Sequence, residues 1–481
     1  MTESKAGNKE SFLYEQVAAQ VGALVSSGAL GPGDRVPSLR AMSRKFKVSI
    51  ATVMQAYMQL ESKGLIEARP QSGFFVRESR GLLPPVHPQP VSRHPRRVQF
   101  GNTVETIFAL ANHQDLVPLG VANPAASLLP VRGLSRALRT VVSKHADEAV
   151  SYNFPPGVLA LRRQLALRHT GIAGDVNPEE ILITNGATEG LMVALQAVAK
   201  PGDIIAVAAP TYFSVLQMIE RLGMLALEIA SDAETGISLA SLDVQLRTRK
   251  VAAVVLSANF SNPTGALMPE SNKQDLVRMM AGYDVPLIED DVFGDLSFDA
   301  DRPRMCKAYD KTGSVITVSS FSKTLAPGFR IGWVFAGRYH RAVMQQKQLN
   351  SSATSTLTQL AVATFLEDGN YDRHLVSLRR AYRRQVGQLR AAIAAHFPEG
   401  TRVSDPQGGF VTWVQVPGNV DSQLVYQEAL SQGVSITPGF LFSPTGRFQP
   451  FMRLCAGHPW DERMAEGVAT LGRVVHQVGD L

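Results

Sequence analysis

Six short apolar runs, rich in Ile, Val and Leu, recur between residues 181 and 336, and stretches with helical periodicity separate them. The runs are residues 181–184, 204–209, 251–256, 285–290, 314–320 and 332–336. Most of them are apolar at nearly every position, which is the pattern of a strand buried on both faces of a sheet. Such strands alternating with helices predict an α/β fold.

The pattern changes from about residue 385 onward. A long helical stretch is followed by two short strand patterns, at 408–416 and 451–456, and then by a terminal helix. This order predicts a small C-terminal α+β subdomain over approximately residues 385–481.

A proline-rich segment separates the large domain from the start of the chain. Residues 81–99 contain five prolines, three arginines and no acidic residue. This composition favours an extended, semi-rigid spacer. A chain of 481 residues is too long for a single hydrophobic core of ordinary size. We therefore divide it into an N-terminal domain (10–80), a Pro/Arg-rich linker (81–100) and a large domain (101–481).

The first 80 residues predict a winged helix-turn-helix. Apolar residues recur with helical spacing from Phe12 to Val25, and further helices open at Pro37–Ser38 and Val48–Ser49. After Gly64, the sequence LIEARPQSGFFV is typical of two short strands around a turn. Three helices followed by a β-wing form the winged-helix layout.

The basic excess of the chain lies entirely at its N-terminal end. Residues 1–100 contain 14 Lys and Arg against 7 Asp and Glu, whereas the remainder contains 34 against 35. This asymmetry indicates either an anionic partner for the N-terminal domain or simply a solvated basic surface. DNA is favoured over the alternative, a winged helix that contacts another protein.

The candidate DNA contacts lie at the helix starts and in the wing. Arg40 and Arg44, one helical turn apart, suit phosphate contacts. Ser49 and Thr52, at the start of the third helix, can present hydroxyls to phosphates or base edges. The full set is Arg35, Arg40, Arg44, Ser49, Thr52, Arg69 and Ser72.

Other bulk features exclude several classes of protein. No apolar run approaches the ~20 residues that span a bilayer, and the N-terminus lacks the layout of a signal peptide. We therefore expect a cytoplasmic protein. With Cys306 and Cys455 as the only cysteines, we expect neither a disulfide framework nor a metal site.

The segment SSFSKTLAPGFR, residues 319–330, places Lys323 among small polar residues. Ser320, Ser322 and Arg330 supply two hydroxyls and a guanidinium, which together suit a phosphate dianion. Lys323 is then either an ordinary surface lysine or a covalent anchor for a cofactor.

Further candidates follow the other strands, where open α/β sheets bind ligands. Gly186, Ala187 and Thr188 open a helix and either bind an anion or form only a tight turn.

Three larger polar side chains follow strands in the same way. Asn262 either donates to a ligand oxygen or forms an Asn-Pro turn. Asp290 either keeps a ring nitrogen protonated or caps the next helix. Tyr212 either stacks on an aromatic ring or packs in the core.

Together these motifs resemble the fold-type I PLP-dependent aminotransferases, in the group that includes kynurenine/2-aminoadipate aminotransferase. The resemblance covers about residues 115–475, where GAT, PTY, NPTG, ED, SFSKTLAPGFRIGW and FMRL occur in that order. It implies that Lys323 forms a Schiff base, the internal aldimine, with pyridoxal 5'-phosphate (PLP). It also implies that Asp290 pairs with the pyridine nitrogen and that Asn262 donates to the ring hydroxyl.

The same resemblance implies roles for residues farther from the lysine. Tyr212 would stack on the ring, and Arg453 would clamp the α-carboxylate of an amino acid. Tyr152 would reach the site of a neighbouring subunit, which implies a homodimer. The implied phosphate-binding residues are Gly186, Ala187, Thr188, Ser320, Ser322 and Arg330.

Residues 36–76 resemble the GntR-family winged helix. Winged helix, linker and aminotransferase-like domain in this order resemble the MocR family of transcriptional regulators. The resemblance implies a dimeric protein that binds promoter DNA and responds to PLP or to an amine or amino acid effector.

Two residues depart from the family patterns. Where GntR proteins commonly carry an arginine, this chain has Ile50, so an apolar contact such as a thymine methyl replaces guanine readout. Where the aminotransferases usually carry a tyrosine, it has Phe293, which removes a hydroxyl from the cofactor oxygen.

Two other functions remain open at this point. The protein could be an active aminotransferase with an appended DNA-binding domain, which Arg453 favours and Phe293 disfavours. Alternatively, the large domain could be a scaffold, although a scaffold has no need for Lys323 beside a phosphate-binding set.

Overall fold

The computed structural model describes most of the chain between residues 13 and 479. The described residues are 13–26, 30, 34–62, 64–69, 73–76, 83–86, 88–92, 94–98, 103–110, 113, 115–299 and 301–479. The chain divides into two compact units, residues 1–82 and 83–481. No helix in the described ranges is long and apolar enough to cross a membrane.

The N-terminal unit contains three helices and a two-stranded wing. Its described elements are α1 (Leu13–Ser26), α2 (Leu39–Phe46), α3 (Ile50–Ser62), β1 (Ile66–Arg69) and β2 (Gly73–Val76). The two strands pair antiparallel, with Ile66 opposite Val76. The predicted winged helix-turn-helix is therefore confirmed.

Local capping and one long-range hydrogen bond position the helices of this unit. Ser38 caps α2 by accepting a hydrogen bond from Ala41 N at 3.2 Å. Val53 and Tyr57 of α3 are fully buried in the core of the unit. The Tyr57 hydroxyl donates to the Pro37 carbonyl at 2.6 Å, which holds α3 against the start of α2.

The large unit alternates helices and strands along most of its length. Its described helices are α4 (Thr103–Leu110), α5 (Val131–Lys144), α6 (Ala146–Ala149), α7 (Leu159–His169), α8 (Ala187–Val198), α9 (Phe213–Arg221), α10 (Leu239–Thr248), α11 (Glu270–Tyr283), α12 (His340–Ser351), α13 (Thr356–Glu367), α14 (Asn370–His396), α15 (Ser422–Ser431) and α16 (Glu462–Gly479).

The strands of this unit are short and mostly buried. They are β3 (Val117–Pro118), β4 (Ile181–Thr184), β5 (Ile204–Ala209), β6 (Leu225–Asp232), β7 (Gly236–Ile237), β8 (Val251–Leu256), β9 (Leu287–Asp290), β10 (Val315–Ser320), β11 (Gly332–Phe335), β12 (Arg402–Val403), β13 (Val411–Gln415), β14 (Val434–Ser435), β15 (Thr437–Pro438) and β16 (Phe451–Cys455).

Within the described part of the chain, the main sheet has eight strands in the order β4-β11-β10-β9-β8-β5-β6-β7. Strands β6, β5, β8, β9 and β10 run parallel to their neighbours in this series. Strand β11 is antiparallel to both β10 and β4. The carboxyl ends of β5, β8, β9 and β10 therefore meet at one edge, where the sequence places the polar candidates.

The C-terminal part contains a smaller antiparallel sheet. Its strand order is β12-β13-β16-β15, and α14 and α16 pack against each other beside it. The predicted α/β fold with an additional α+β part is confirmed. The sequence pattern missed β6, whose residues Leu225–Asp232 include the helix-forming types Leu, Ala and Glu.

Candidate functional site

A cavity at the carboxyl edge of the main sheet collects most of the predicted ligand-binding residues. The described residues that line it include Ala187, Thr188, Tyr212, Asn262, Asp290, Ser320, Ser322, Lys323, Arg330 and Arg453. These residues are spread over more than 260 positions of the sequence, and the strand order of the sheet brings them together.

Lys323 follows β10 and extends into this cavity. Its Nζ donates a hydrogen bond to the Ala122 carbonyl at 2.7 Å. Burial, and then the positive charge of Arg453, lower the pKa of Lys323 to about 8. A larger fraction of Lys323 than of an ordinary lysine is therefore a neutral, nucleophilic amine near neutral pH.

Asp290 is the last residue of β9 and is 6% exposed. Its Oδ1 accepts a hydrogen bond from Val292 N at 3.2 Å. Burial raises the pKa of Asp290 to about 7, against the effect of that hydrogen bond. A carboxyl group in this position would be strongly stabilised in its charged form by a cationic N–H group in the cavity.

Arg330 organises one end of the cavity into an anion cradle. Its Nη1 donates to Ser322 Oγ at 3.0 Å, and its Nη2 donates to the Asn185 carbonyl at 3.3 Å. Ser320 Oγ accepts from Ser322 N at 3.3 Å. Two hydroxyls and a guanidinium are therefore held together at the cavity wall.

The start of α8 completes this cradle. Gly186 precedes the helix with φ 80° and ψ 174°, a conformation open essentially to glycine alone. A Cβ atom here would overlap the Arg330 guanidinium. Ala187 and Thr188 then open α8, where helix geometry leaves the first amide groups without intrahelical partners.

Arg453, on β16, also lines the cavity and is 2% exposed. Its Nη1 donates to Asn262 Oδ1 at 3.1 Å, and its Nη2 donates to Thr437 Oγ1 at 3.0 Å and to the Gly120 carbonyl. Its Nε is buried without a partner among the described residues. Since Asn262 Oδ1 is engaged, the amide nitrogen of Asn262 is the group left to donate to a ligand.

Aromatic rings form part of the cavity wall. Tyr212 and Phe213 lie 4.9 Å apart between ring centroids, and both line the cavity. Phe293 is 2% exposed and packs edge-on against Phe410. The residue that departs from the aminotransferase pattern thus lies at the cavity, where its ring cannot donate a hydrogen bond.

Tyr152 is placed differently from the other candidates. It is 80% exposed, stacks on Phe154 at 5.5 Å, and is absent from the described residues that line the cavity. Within one chain, the structure does not bring Tyr152 to the site.

The candidate DNA contacts lie on the surface of the N-terminal unit. Arg35, Arg40 and Arg44 are exposed. Ser49 caps α3, because its Oγ accepts from Thr52 N at 3.1 Å and shares a hydrogen bond with Thr52 Oγ1 at 2.8 Å. The remaining two candidates, the Arg69 side chain and Ser72, fall outside what the structure describes.

A buried ion network beneath the cavity has no counterpart in the sequence predictions. Arg302 donates to Asp291 and, at 2.6 Å, to Asp295 Oδ1. The Tyr371 hydroxyl donates to Asp295 Oδ2 at 3.0 Å and shares a hydrogen bond with Thr324 at 2.8 Å. Asp291 is the one member of this network that the sequence could have indicated. It follows Asp290 at the end of β9, and because successive residues of an extended chain point to opposite faces, its carboxyl group is expected to point away from the cavity.

The fold and the cavity define a class: an aminotransferase-like α/β protein joined to a winged helix. Residues 123–471 match the family described as Aminotransferase class I and II, and residues 13–76 match the family described as Bacterial regulatory proteins, gntR family. The chain belongs to the MocR-type transcriptional regulators, in which these two parts are fused.

One relative matches nearly the whole chain, and a second matches a smaller share. The chain is 34% identical over 468 residues to the uncharacterized HTH-type transcriptional regulator YjiR of Escherichia coli, covering 96% of this chain and 99% of the relative. It is 29% identical over 381 residues to aromatic-amino-acid aminotransferase 1 of Thermococcus litoralis, covering 78% of this chain and 91% of the relative.

Solved structures share the fold of the large unit. A multiple substrate aminotransferase from Thermococcus profundus gives a TM-score of 0.73 at 27% identity, covering 79% of this chain and 96% of that one. The alpha-aminoadipate aminotransferase of Thermus thermophilus, complexed with N-(5'-phosphopyridoxyl)-L-leucine, gives a TM-score of 0.73 at 26% identity and covers the same shares of the two chains.

The family and fold imply PLP as the cofactor, and the cavity residues fit it. Lys323 offers a partly buried primary amine to an aldehyde, and Asp290 offers a buried carboxyl group to a ring nitrogen. The Arg330 cradle suits a dianionic phosphate, and Gly186 leaves the space that the guanidinium needs.

Proposed function

We propose that this protein is a DNA-binding transcriptional regulator that carries PLP covalently on Lys323 and changes its DNA binding in response to PLP or an amino compound. One observation carries the proposal. A partly buried lysine with a lowered pKa shares a cavity with a carboxyl group and an anion cradle, in a chain that also carries a gntR winged helix. The domains proposed are 10–80 for DNA, 81–100 as linker and 101–481 for the ligand.

When bound, PLP supplies an aldehyde that captures amines and a ring that withdraws electrons. The chain supplies the rest. Lys323 provides the amine, Asp290 holds a proton at the ring nitrogen, and Asn262 donates from its amide nitrogen. Arg330 neutralises the phosphate, and Arg453 is available for the carboxylate of an amino acid effector.

Replacing Lys323 with alanine tests the cofactor half of the proposal. We expect wild-type protein incubated with PLP to show visible absorption from the lysine-bound cofactor, and Lys323→Ala to lose it. The matched control is Lys307→Ala, which removes a lysine that pairs with Asp310 outside the cavity. Visible absorption that survives in Lys323→Ala would show that the anchor is a different residue.

The rate of PLP capture should depend on pH. Because the neutral amine is the reactive form, the rate should rise with pH and level off above about 8, the pKa of Lys323. An ordinary lysine would level off only near about 10.4. Stopped-flow absorption over pH 6–10 measures the midpoint; a midpoint above about 10 would contradict the buried environment of Lys323.

The proposed DNA binding predicts that removing one phosphate-contacting arginine weakens binding equally for all DNA sequences. Arg40→Ala should weaken binding to promoter DNA and to unrelated DNA by a similar factor, and should reduce the salt dependence by about one unit of slope. Fluorescence anisotropy at several salt concentrations measures both quantities. An unchanged salt slope would remove Arg40 from the DNA interface.

We also propose that the large units form a homodimer in the cytoplasm, where operator DNA lies. The exposed apolar residues Val150, Tyr152 and Phe154, at 87%, 80% and 62% exposure, support a second chain covering this surface. In a symmetric dimer, Tyr152 would reach the neighbouring site, and the two winged helices could bind two half-sites.

A second candidate function, aminotransferase activity, is favoured by Arg453. This buried arginine lines the cavity, and its Nε has no partner among the described residues, so the guanidinium is available to bind an α-carboxylate. A single-turnover assay with a panel of amino acids separates the candidates: multiple turnovers with an oxo-acid acceptor would establish the enzyme, and one conversion without turnover favours the regulator.

A further inference from the structure

The exposed side chains in the first turns of α3 are apolar or amide groups and carry no positive charge. The sequence of Ile50–Ser62 contains neither Lys nor Arg. Ile50 and Met54 are 49% and 37% exposed, and Ala51 and Gln55 are exposed beside them. The first turns of this helix therefore present methyl groups and one amide to any partner.

The packing of α3 fixes this orientation. Val53, Ala56 and Tyr57 are fully buried in the core of the N-terminal unit. The Tyr57 hydroxyl is bonded to the Pro37 carbonyl at 2.6 Å. The helix cannot rotate without breaking this core, so Ile50, Met54 and Gln55 remain on the outside.

The two hydroxyls at the helix start are already engaged. Ser49 Oγ accepts from Thr52 N and bonds with Thr52 Oγ1, at 3.1 Å and 2.8 Å. These bonds cap α3 and reduce the capacity of both residues to read bases. Recognition by the first turns of the helix therefore falls mainly to Ile50, Met54 and Gln55.

The charges around this face favour DNA as its partner. Arg35, Arg40 and Arg44 are exposed on the segment that precedes α3, and Lys45 and Lys47 are exposed beside them. A polyanion attracted by these charges would meet an apolar and amide surface at the start of α3.

Building on the proposed DNA binding, we propose that α3 reads A·T base pairs in the major groove of each half-site. Ile50 and Met54 contact thymine methyl groups, and Gln55 pairs with N6 and N7 of adenine. Because α3 carries no Arg or Lys, it does not supply the bidentate contact that usually selects guanine.

Deoxyuridine substitution tests the thymine contacts. The preferred operator is first selected from random duplex DNA with the full-length protein, and the base pairs protected by α3 are located by footprinting. Replacing a contacted thymine with deoxyuridine removes only the 5-methyl group, and should weaken wild-type binding about fourfold per methyl. In Ile50→Ala, the deoxyuridine penalty at the position contacted by Ile50 should disappear.

Arg40→Ala is the matched control. Loss of the Arg40 charge should weaken binding to every duplex, but the ratio of the affinities for thymine and deoxyuridine duplexes should stay unchanged. Thermal unfolding checks that Ile50→Ala remains folded, as expected for a half-exposed side chain. A selected core of G·C pairs, or specific binding that deoxyuridine does not affect, overturns the A·T proposal alone. If no duplex binds better than random DNA, the proposed DNA-binding function fails with it.

Discussion

Replacing Arg302 with methionine is expected to lower the free energy of unfolding by about 3–5 kcal/mol, because the substitution leaves two carboxylates without their cation. The Arg302 side chain is 8% exposed and pairs with Asp291, which is fully buried, and with Asp295 at 2.6 Å. Burial raises the pKa of Asp291, so this group depends on Arg302 to stay charged. Urea denaturation of the PLP-free protein at neutral pH measures the loss.

The sign of the pH dependence follows from Asp295. Burial alone would raise its pKa, but the charges of Arg302 and then Arg168 hold the pKa of Asp295 well below its usual range. A carboxyl group with a lowered folded-state pKa stabilises the fold above its unfolded pKa, and this contribution is lost in acid. The difference between wild type and Arg302→Met should therefore shrink in acid, where protonation removes the carboxylate charges that Arg302 neutralises.

Arg278→Met is the control for this experiment. Arg278 pairs with Asp275 at 2.9 Å on α11, but the two side chains are 76% and 54% exposed. Exposed pairs of this kind contribute at most about 1 kcal/mol. If both variants lose the same free energy of unfolding, the buried Arg302 network contributes no more to stability than an exposed ion pair.

Gly186→Ala is expected to weaken PLP binding by about 10- to 100-fold, the loss that follows when a charged hydrogen bond is broken. The new Cβ would overlap the Arg330 guanidinium, and the φ of 80° with ψ of 174° is strained for alanine. Arg330 would have to leave its position beside Ser322 Oγ. Titration of the visible absorption with PLP measures the affinity.

Gly202→Ala separates cofactor binding from backbone strain. Gly202 also has a positive φ, 89°, but a Cβ there meets no heavy atom within 4 Å in the described structure. Both variants should lose some stability, whereas PLP affinity should fall only in Gly186→Ala. If Gly202→Ala weakens PLP binding as much, the Arg330 cradle is not the phosphate site.

Much of the fold follows from residue patterns in the sequence. Strands β4, β5 and β8 coincide with the apolar runs 181–184, 204–209 and 251–256, because strands buried on both faces of a sheet need apolar residues at successive positions. Strand β6 was missed, since its Leu, Ala and Glu residues favour helices and its neighbours in the sheet override that preference.

The order of the motifs in the sequence was enough to predict which residues line the candidate site. Lys323 and Arg330 come from the segment between β10 and β11, and Asp290 ends β9, yet all three line one cavity. Their roles in binding PLP stay predictions. Arg302 could not be found, because nothing in its loop marks a partner for Asp291. The role of Tyr152 depends on a second chain, which the pattern of one chain does not describe.

The central claim is that occupancy of the Lys323 site changes DNA binding. The operator dissociation constant should be measured for wild type and Lys323→Ala, each free of PLP, loaded with PLP, and loaded with PLP plus a panel of amino acids. We predict a change of about fivefold or more between at least two of these states in wild type, and no change in Lys323→Ala. Identical dissociation constants in all states of the wild type, or the same response in Lys323→Ala, would contradict the claim.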